Sequence, residues 1–168
     1  FSACSSLTEV TIGNSVTSIG EGAFSNTTEI KDVFYKAINC NSINDVWLSC
    51  DNNFIISKEV TNIPDNLNSD WQLGNVIISL PTTPPTCGPN SFTSRTKTKT
   101  TLYVPKDCYA TYWSAPVWQD FTTIKGIEQV ATAISLPESM ELTLNNSVKI
   151  EATLTPTNTT ITTLYWET

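Results

Sequence analysis

Ser6-Leu-Thr-Glu-Val-Thr-Ile-Gly-Asn-Ser-Val-Thr-Ser-Ile-Gly-Glu-Gly-Ala-Phe24 carries the spacing from which the rest of the chain is built. Val10 and Ile12 stand two apart, as on one face of a strand. Val16, Ile19, Ala23 and Phe24 follow at spacings that close a tight arc back onto a core. Gly13-Asn14 and Gly20-Glu-Gly22 supply the turn residues between strand and arc. One repeat further on, Ile30, Val33 and Tyr35 reoccupy the places of Leu7, Val10 and Ile12, and Phe24 matches Phe1. In Phe54-Ile-Ile-Ser-Lys-Glu-Val-Thr-Asn-Ile63 the frame returns, with Val60, Thr61 and Ile63 copying Val16, Thr17 and Ile19. Leu73, Val76 and Ile78 repeat it, and a longer interval brings Leu102-Tyr-Val104. The spacing predicts about five short strands stacked as one parallel sheet, each coil covering its apolar edge against a neighbour.

Lys36 to Asn53 keeps the apolar content but blurs the frame; Val46, Trp47 and Leu48 fit the outer arc, with Trp47 read as core. Val76-Ile-Ile-Ser-Leu80 runs into Pro81-Thr-Thr-Pro-Pro-Thr-Cys-Gly-Pro89, where the prolines forbid both helix and central strand. Asn90-Ser-Phe92 echoes Gly22-Ala-Phe24, so this loop is predicted to lie inside a repeat. Arg95, Lys97 and Lys99, alternating with Thr96, Thr98 and Thr100, read as the solvated face of a hairpin or loop. Pro105 to Trp113 places Pro at a first helical position and apolar groups at Cys108, Tyr109, Tyr112 and Trp113. That pattern predicts a short amphipathic helix capping the open end of the stack. Trp118 and Phe121 complete the cover, and Ile124 and Ile127 lead out of it.

From Gln129 the pattern changes. Ala133-Ile-Ser-Leu136, Met140 to Leu144 and Val148 to Leu154 alternate apolar and polar residues, which predicts antiparallel strands of a sandwich. Asn145-Asn146 reads as a hairpin turn, and Leu164-Tyr-Trp166 begins another strand. The division expected is a solenoid over residues 1–128 and an incomplete sandwich over 129–168. Half a sandwich leaves its apolar face uncovered, so the tail is either partly disordered or borrows strands from a second copy; a homodimer through residues 129–168 is expected.

The 168 residues suffice for a core, and no apolar run approaches the roughly 18 to 20 residues that cross a bilayer. The chain opens at Phe1 in mid-repeat with no signal peptide, which reads as a fragment of something longer. A formal charge of -7 argues against a nucleic-acid partner, since phosphate binding needs clustered cations. Cys4, Cys40, Cys50, Cys87 and Cys108 form no CxxC pair, which argues against zinc. Cys40 and Cys50 are close enough in sequence to consider a disulfide, against the simpler reading of small buried apolar side chains.

Cys4 to Phe24 closely resembles the BspA-type leucine-rich repeat. Thr83-Pro-Pro85, Leu102-Tyr-Val-Pro105, Tyr112 and Trp118-Gln-Asp-Phe121 resemble the segment that closes such arrays. Ala133 to Trp166 is similar to the first half of a group 2 bacterial immunoglobulin-like domain, in Ile134, Leu136, Leu144, Leu154-Thr-Pro156 and Tyr165-Trp166. The fold expected is therefore mainly β: a leucine-rich-repeat solenoid with short parallel strands and a small C-terminal helical cap, followed by a partial antiparallel Ig-like β-sandwich. The resemblance implies a cell-surface or secreted bacterial protein associated with adhesion. It brings no catalytic residues and no cofactor.

Without histidine, a Ser-His or Cys-His nucleophile pair is excluded. A carboxylate-based glycan hydrolase would have to draw on Asp51, Glu59, Asp65, Asp70 or Asp120, each of which falls in a repeat loop or the cap. Gly20-Glu-Gly22 lacks the further glycines and lysine of a phosphate loop. Two non-enzymatic roles remain: an adhesion module for a protein or glycan on a host or bacterial surface, or a stalk presenting other domains. On the sheet, the outward positions expected are Thr11, Phe34, Ile55, Ile77 and Tyr103. Four are apolar, so the stripe either meets a partner or is covered as core.

Overall fold

The computed structural model describes residues 1–43, 50–67, 73–127, 133–135 and 153–155. Two compact units divide the chain, Phe1–Gly126 and Ile127–Thr168. In chain order the elements are β1 (Glu9–Ile12), β2 (Ser18–Ile19), β3 (Asp32–Tyr35), β4 (Ser42–Ile43), β5 (Asn53–Ile56), β6 (Asn62–Ile63), β7 (Val76–Ser79) and β8 (Thr86–Cys87). There follow α1 (Ser94–Lys99), β9 (Thr101–Pro105), a 3-10 turn at Lys106–Cys108, α2 (Tyr109–Ser114), a second 3-10 turn at Trp118–Asp120, and β10 (Ile124–Ile127). In the second unit, β11 (Ala133–Ser135) pairs antiparallel with β12 (Thr153–Thr155), Ile134 opposite Leu154. Trp47, Trp166 and the expected strands at Met140 to Leu144 and Leu164 to Trp166 lie outside the described residues.

Each coil contributes one four- or five-residue strand to a six-stranded sheet ordered β1-β3-β5-β7-β9-β10. The pairs from β1 to β9 are parallel, with Val10, Val33, Phe54, Ile77 and Leu102 side by side. All five are buried, and the alternate column Ile12, Tyr35, Ile56 and Ser79 is buried with them. Period two explains why: both columns face the interior of the coil, and none of these strands could bury its row without the next. The backbone of successive coils is also joined where the strands end, by N–H groups of Lys36, Ser57 and Leu80 donating to the carbonyls of Ile12, Tyr35 and Ile56 at 2.9, 3.0 and 3.1 Å. On the arc side, Ile19 pairs Ile43 and Ile63 pairs Cys87 in short parallel ladders. Phe1 stacks on Phe24, ring centroids 5.8 Å apart, as their matching places in the frame require.

The proline loop lies within a repeat: Thr86–Cys87 pairs with β6, and Phe92 returns to the core beneath the cap. That cap is an aromatic cluster in which Trp118 contacts Phe92, Tyr112 and Phe121 at centroid distances of 5.3, 5.3 and 6.0 Å. Trp118 Nε1–H donates to the Pro85 carbonyl at 2.8 Å, and the Tyr112 hydroxyl donates to that of Pro81 at 2.8 Å while meeting Ser79 Oγ at 2.8 Å. The prolines lack the N–H that would carry a ladder through the loop, and the carbonyls of Pro81 and Pro85 are satisfied instead by the cap's two polar aromatics.

The structure corrects four expectations. Ile77 lies in the inward column and Ile78 in the outward one, one residue out of the predicted phase. Arg95, Lys97 and Lys99 sit on α1, not in a hairpin. Thr93 caps this helix by accepting the Thr96 N–H at 3.1 Å, and within it only Thr96 is buried; Thr100, extended just past its end, is buried as well. Pro105 ends β9, and of the four apolar groups expected on the cap helix only Tyr112 is buried; Cys108 is half-buried and Tyr109 and Trp113 are exposed, while Trp118 and Phe121 are buried in the cover. Ile124 and Ile127 form the sixth strand, both buried, where a lead-out was expected. The disulfide considered between Cys40 and Cys50 is absent: both are buried free thiols.

Candidate interaction surface

Because each parallel pair keeps its register, the outward side chains line up as two columns. Glu9, Asp32, Asn53, Val76 and Thr101 form one, and Thr11, Phe34, Ile55, Ile78 and Tyr103 the other. With strands about 4.8 Å apart, five side chains span roughly 20 Å. In the first column Asn53 Nδ2 donates to Asp32 Oδ1 at 2.7 Å, tying neighbouring coils through their surface. In the second, Thr11 is exposed, Ile55 and Tyr103 are half-buried, and Phe34 and Ile78 are 8% exposed each. Lys125 of β10 places its Nζ 6.0 Å from the Tyr103 ring centroid, within cation–π reach.

The structure places Thr11, Phe34, Ile55 and Tyr103 in one outward column and removes Ile77, which is wholly buried beside Phe54 and Leu102. The residue missed is Ile78. Asn75 marks the phase: it precedes β7 as Asn52 precedes β5, and its N–H donates to the Asn52 carbonyl at 3.0 Å. Lys125 was also missed, since its neighbours Ile124 and Ile127 are three apart and do not read as a strand.

Three of the carboxylates considered for hydrolysis are engaged by neighbours within the fold. Asp65 Oδ1 accepts the Asn90 N–H at 2.7 Å, and Asp120 Oδ2 pairs with Lys97 Nζ at 3.1 Å. Glu59 accepts the Ser57 hydroxyl at 2.6 Å, and this hydrogen bond, helped by its own backbone N–H and by Lys58, holds its carboxyl below the usual range. A glycosidase acid needs the opposite shift. Asp51 is exposed on a turn, and Asp70 lies outside the described residues. Among the described residues no group of three His, Cys, Asp or Glu side chains is placed to hold a metal ion, and no helix is long and apolar enough to cross a membrane. Burial pushes the Cys50 thiol up to about 12, with Asp32 and Asp51 adding to it. Cys87 is pushed up to about 12 by burial as well, Lys97 opposing and Asp65 assisting. Neither is poised as a nucleophile.

No curated protein matches the chain. The BspA type Leucine rich repeat region matches residues 1–108 in 6 copies, over the stretch where the parallel ladder and its arcs were found. The chain belongs to the BspA type leucine-rich repeat family.

Proposed function

We propose that this chain is a non-enzymatic adhesion module, at the cell surface or secreted, that engages a protein or glycan on a host or neighbouring cell. The family is commonly a surface protein-interaction module, typically surface-located or secreted, and generally without enzymatic activity. The observation that carries the reading is the unbroken register bringing Thr11, Phe34, Ile55, Ile78 and Tyr103 into one outward column. Such a column offers an extended contact surface that single loops do not. Binding of the purified chain to a panel of extracellular-matrix proteins and surface glycans tests it: saturable binding that falls in Tyr103→Ala is expected.

One observation favours the stalk. Phe34 and Ile78, the middle of the apolar column, are already mostly covered within the fold, which leaves less of the stripe in need of a partner. Consistent absence of saturable binding across the panel decides for that reading.

For residues 129–168 we infer the beginning of an Ig-like domain of the group 2 bacterial type. The antiparallel pairing of β11 with β12, Ile134 facing Leu154, supports it. A half-sandwich needs its second layer, and we propose that a second copy supplies it, giving a homodimer through this tail. Light scattering over a concentration series is the measurement; a concentration-independent monomer with an ordered tail removes the proposal.

A further inference from the structure

The outward face of the sheet reads the same from either end. From β1 to β10 its strands present Thr11, Phe34, Ile55, Ile78, Tyr103 and Lys125, one beside the next, with Lys125 placed by its approach to the Tyr103 ring. Aromatic rings hold the second and fifth places and isoleucines the third and fourth, so the apolar part of the row is a palindrome about the gap between β5 and β7. Height follows the opposite rule. Phe34 and Ile78 lie low, 8% exposed each, while Ile55 and Tyr103 are half-buried and project further. Each low place is thus matched, at the same distance on the other side of the centre, by a raised one.

Charge completes the pattern. Across the two outward columns and β10 the ionised side chains are Glu9 and Asp32 at one end and Lys125 at the other; Lys31 and Lys36 flank β3 beyond the columns. Asp32 is engaged by Asn53, whereas Glu9 and Lys125 are exposed and form no ion pair among the described residues. Strand spacings of about 4.8 Å put roughly 24 Å between β1 and β10, too far for these two to meet within one copy. A two-fold axis lying in the face and parallel to the strands reverses the strand order, bringing β1 over β10, β3 over β9 and β5 over β7 of a second copy. That one operation sets Glu9 and Thr11 opposite Lys125, low Phe34 opposite raised Tyr103, and raised Ile55 opposite low Ile78. A ligand of another kind has no need of a face complementary to itself; a second copy does.

We propose that this face is a self-recognition surface whose partner is a second copy of the chain, docked face to face about that axis. The proposal rests on the adhesion reading and names the partner of the sheet column as the same chain on a neighbouring surface. It involves none of residues 129–168. Ile55 and Ile78 at the centre supply the apolar contact, and the opposite charges at the two ends fix its direction. With strands of four or five residues rising about 3.3 Å each, the face covers roughly 24 Å by 13 Å, about 300 Å² for each copy and well under the ~800 Å² of a stable interface. The association is therefore weak and exchanging, of the strength that becomes effective when many copies are displayed side by side.

Sedimentation equilibrium of the whole chain at low salt, from micromolar to millimolar concentration, tests it by charge exchange. Glu9→Lys and Lys125→Glu each set like charges opposite one another at both ends of the dimer and should each weaken self-association at least about fivefold. Mixed in equal amounts, the two variants regain both attractive pairs in every mixed dimer and should associate within about twofold of the native chain. Both residues are exposed, and unchanged melting temperatures confirm that the variants fold. A zero-length carbodiimide link between the Glu9 carboxyl and the Lys125 amine, found by mass spectrometry between isotopically light and heavy copies, is expected in the native chain. Native-strength association in both single variants, a mixture no stronger than its parts, or a monomer at every concentration overturns the proposal. Links between copies that are confined to residues 129–168 overturn it and leave the dimer through the tail standing. Saturable binding of a panel protein or glycan by a chain that does not self-associate overturns it and leaves adhesion standing; absence of both kinds of binding removes both.

Discussion

Trp118 donates its indole N–H to the Pro85 carbonyl across 2.8 Å, so the largest fully buried side chain of the cap is also what fastens the proline loop of the preceding coil. The bond joins two segments that share no ladder. Trp118→Phe removes the indole donor and leaves the buried Pro85 carbonyl only the weak Cys87 thiol donor at 3.6 Å, which should cost about 1–2 kcal/mol. Trp118→Ala also opens a cavity among Phe92, Tyr112 and Phe121 and should cost about 3–5 kcal/mol. Denaturant midpoints of the two variants measure the difference between them, which is the packing contribution. Equal losses would mean that the hydrogen bond alone holds the loop.

Gly88 and Asp65 are a second coupled pair. A Cβ at position 88 would collide with the Asp65 carboxylate, which in its present position accepts the Asn90 N–H and thereby joins two coils. Gly88→Ala should displace that carboxylate and lose the hydrogen bond, a destabilisation of about 1–2 kcal/mol. With the carboxylate already gone in Asp65→Ala, the three atoms nearest the added methyl are removed, and Gly88→Ala should then cost under about 0.5 kcal/mol. A double-mutant cycle by urea denaturation reads the coupling directly; additive losses would disconnect the glycine from the aspartate.

Val117 is held at φ 72 and ψ -44, a conformation that a β-branched side chain rarely adopts, immediately before Trp118. Its backbone strain is sustained because the buried Trp118 and its bond to Pro85 fix the chain that follows. Replacing the valine by alanine keeps the strain, whereas glycine relieves it. Val117→Gly is therefore expected to be about 1 kcal/mol more stable than Val117→Ala, the reverse of the usual order of these residues. Thermal melts of the two variants side by side test the sign.

The stacked sheet was readable in the chain because Val10, Val33, Phe54 and Leu102 each begin an alternation bounded by turn residues. Its phase failed in β7, where Val76, Ile77 and Ile78 are all apolar and period two offers no choice between inward and outward. Backbone pairing settled what hydrophobicity could not, through Asn75 lying beside Asn52. A similar conflict hid α1: threonine and lysine alternate as on a strand edge, yet the side chains that matter are Thr96 within the helix, which accepts the Leu73 N–H, and Thr100 at its extended end, which donates to the Gly74 carbonyl. For the candidate site, Tyr103 and Ile55 followed from strand alternation alone. The exposure of Tyr109 and Trp113 did not, because composition cannot tell which of three aromatics on a two-turn helix will be used to cover the core.

The thiols of Cys50, buried, and Cys87, half-buried, make stability depend on alkaline pH. Cys50 and Cys87 move from the ordinary thiol value of 9.0 to about 12 in the folded chain, because burial opposes the thiolate. A folded-state pKa above the unfolded one means that the unfolded chain releases these protons first. The stabilisation is thus complete below pH 9 and is lost between pH 9 and about 12. Each thiol contributes a slope of at most about 1.4 kcal/mol per pH unit in that window. Urea midpoints measured from pH 8 to 11 should fall steeply above pH 9 in the native chain and less steeply in Cys50→Ala/Cys87→Ala compared with its own value at pH 8. A native-state thiol titration should show the same order of protection, with exposed Cys4 labelled quickly at pH 8 and Cys50 only on unfolding. Rapid labelling of Cys50 in the folded chain would mean that its coil opens locally, and the expected pH dependence would then shrink accordingly.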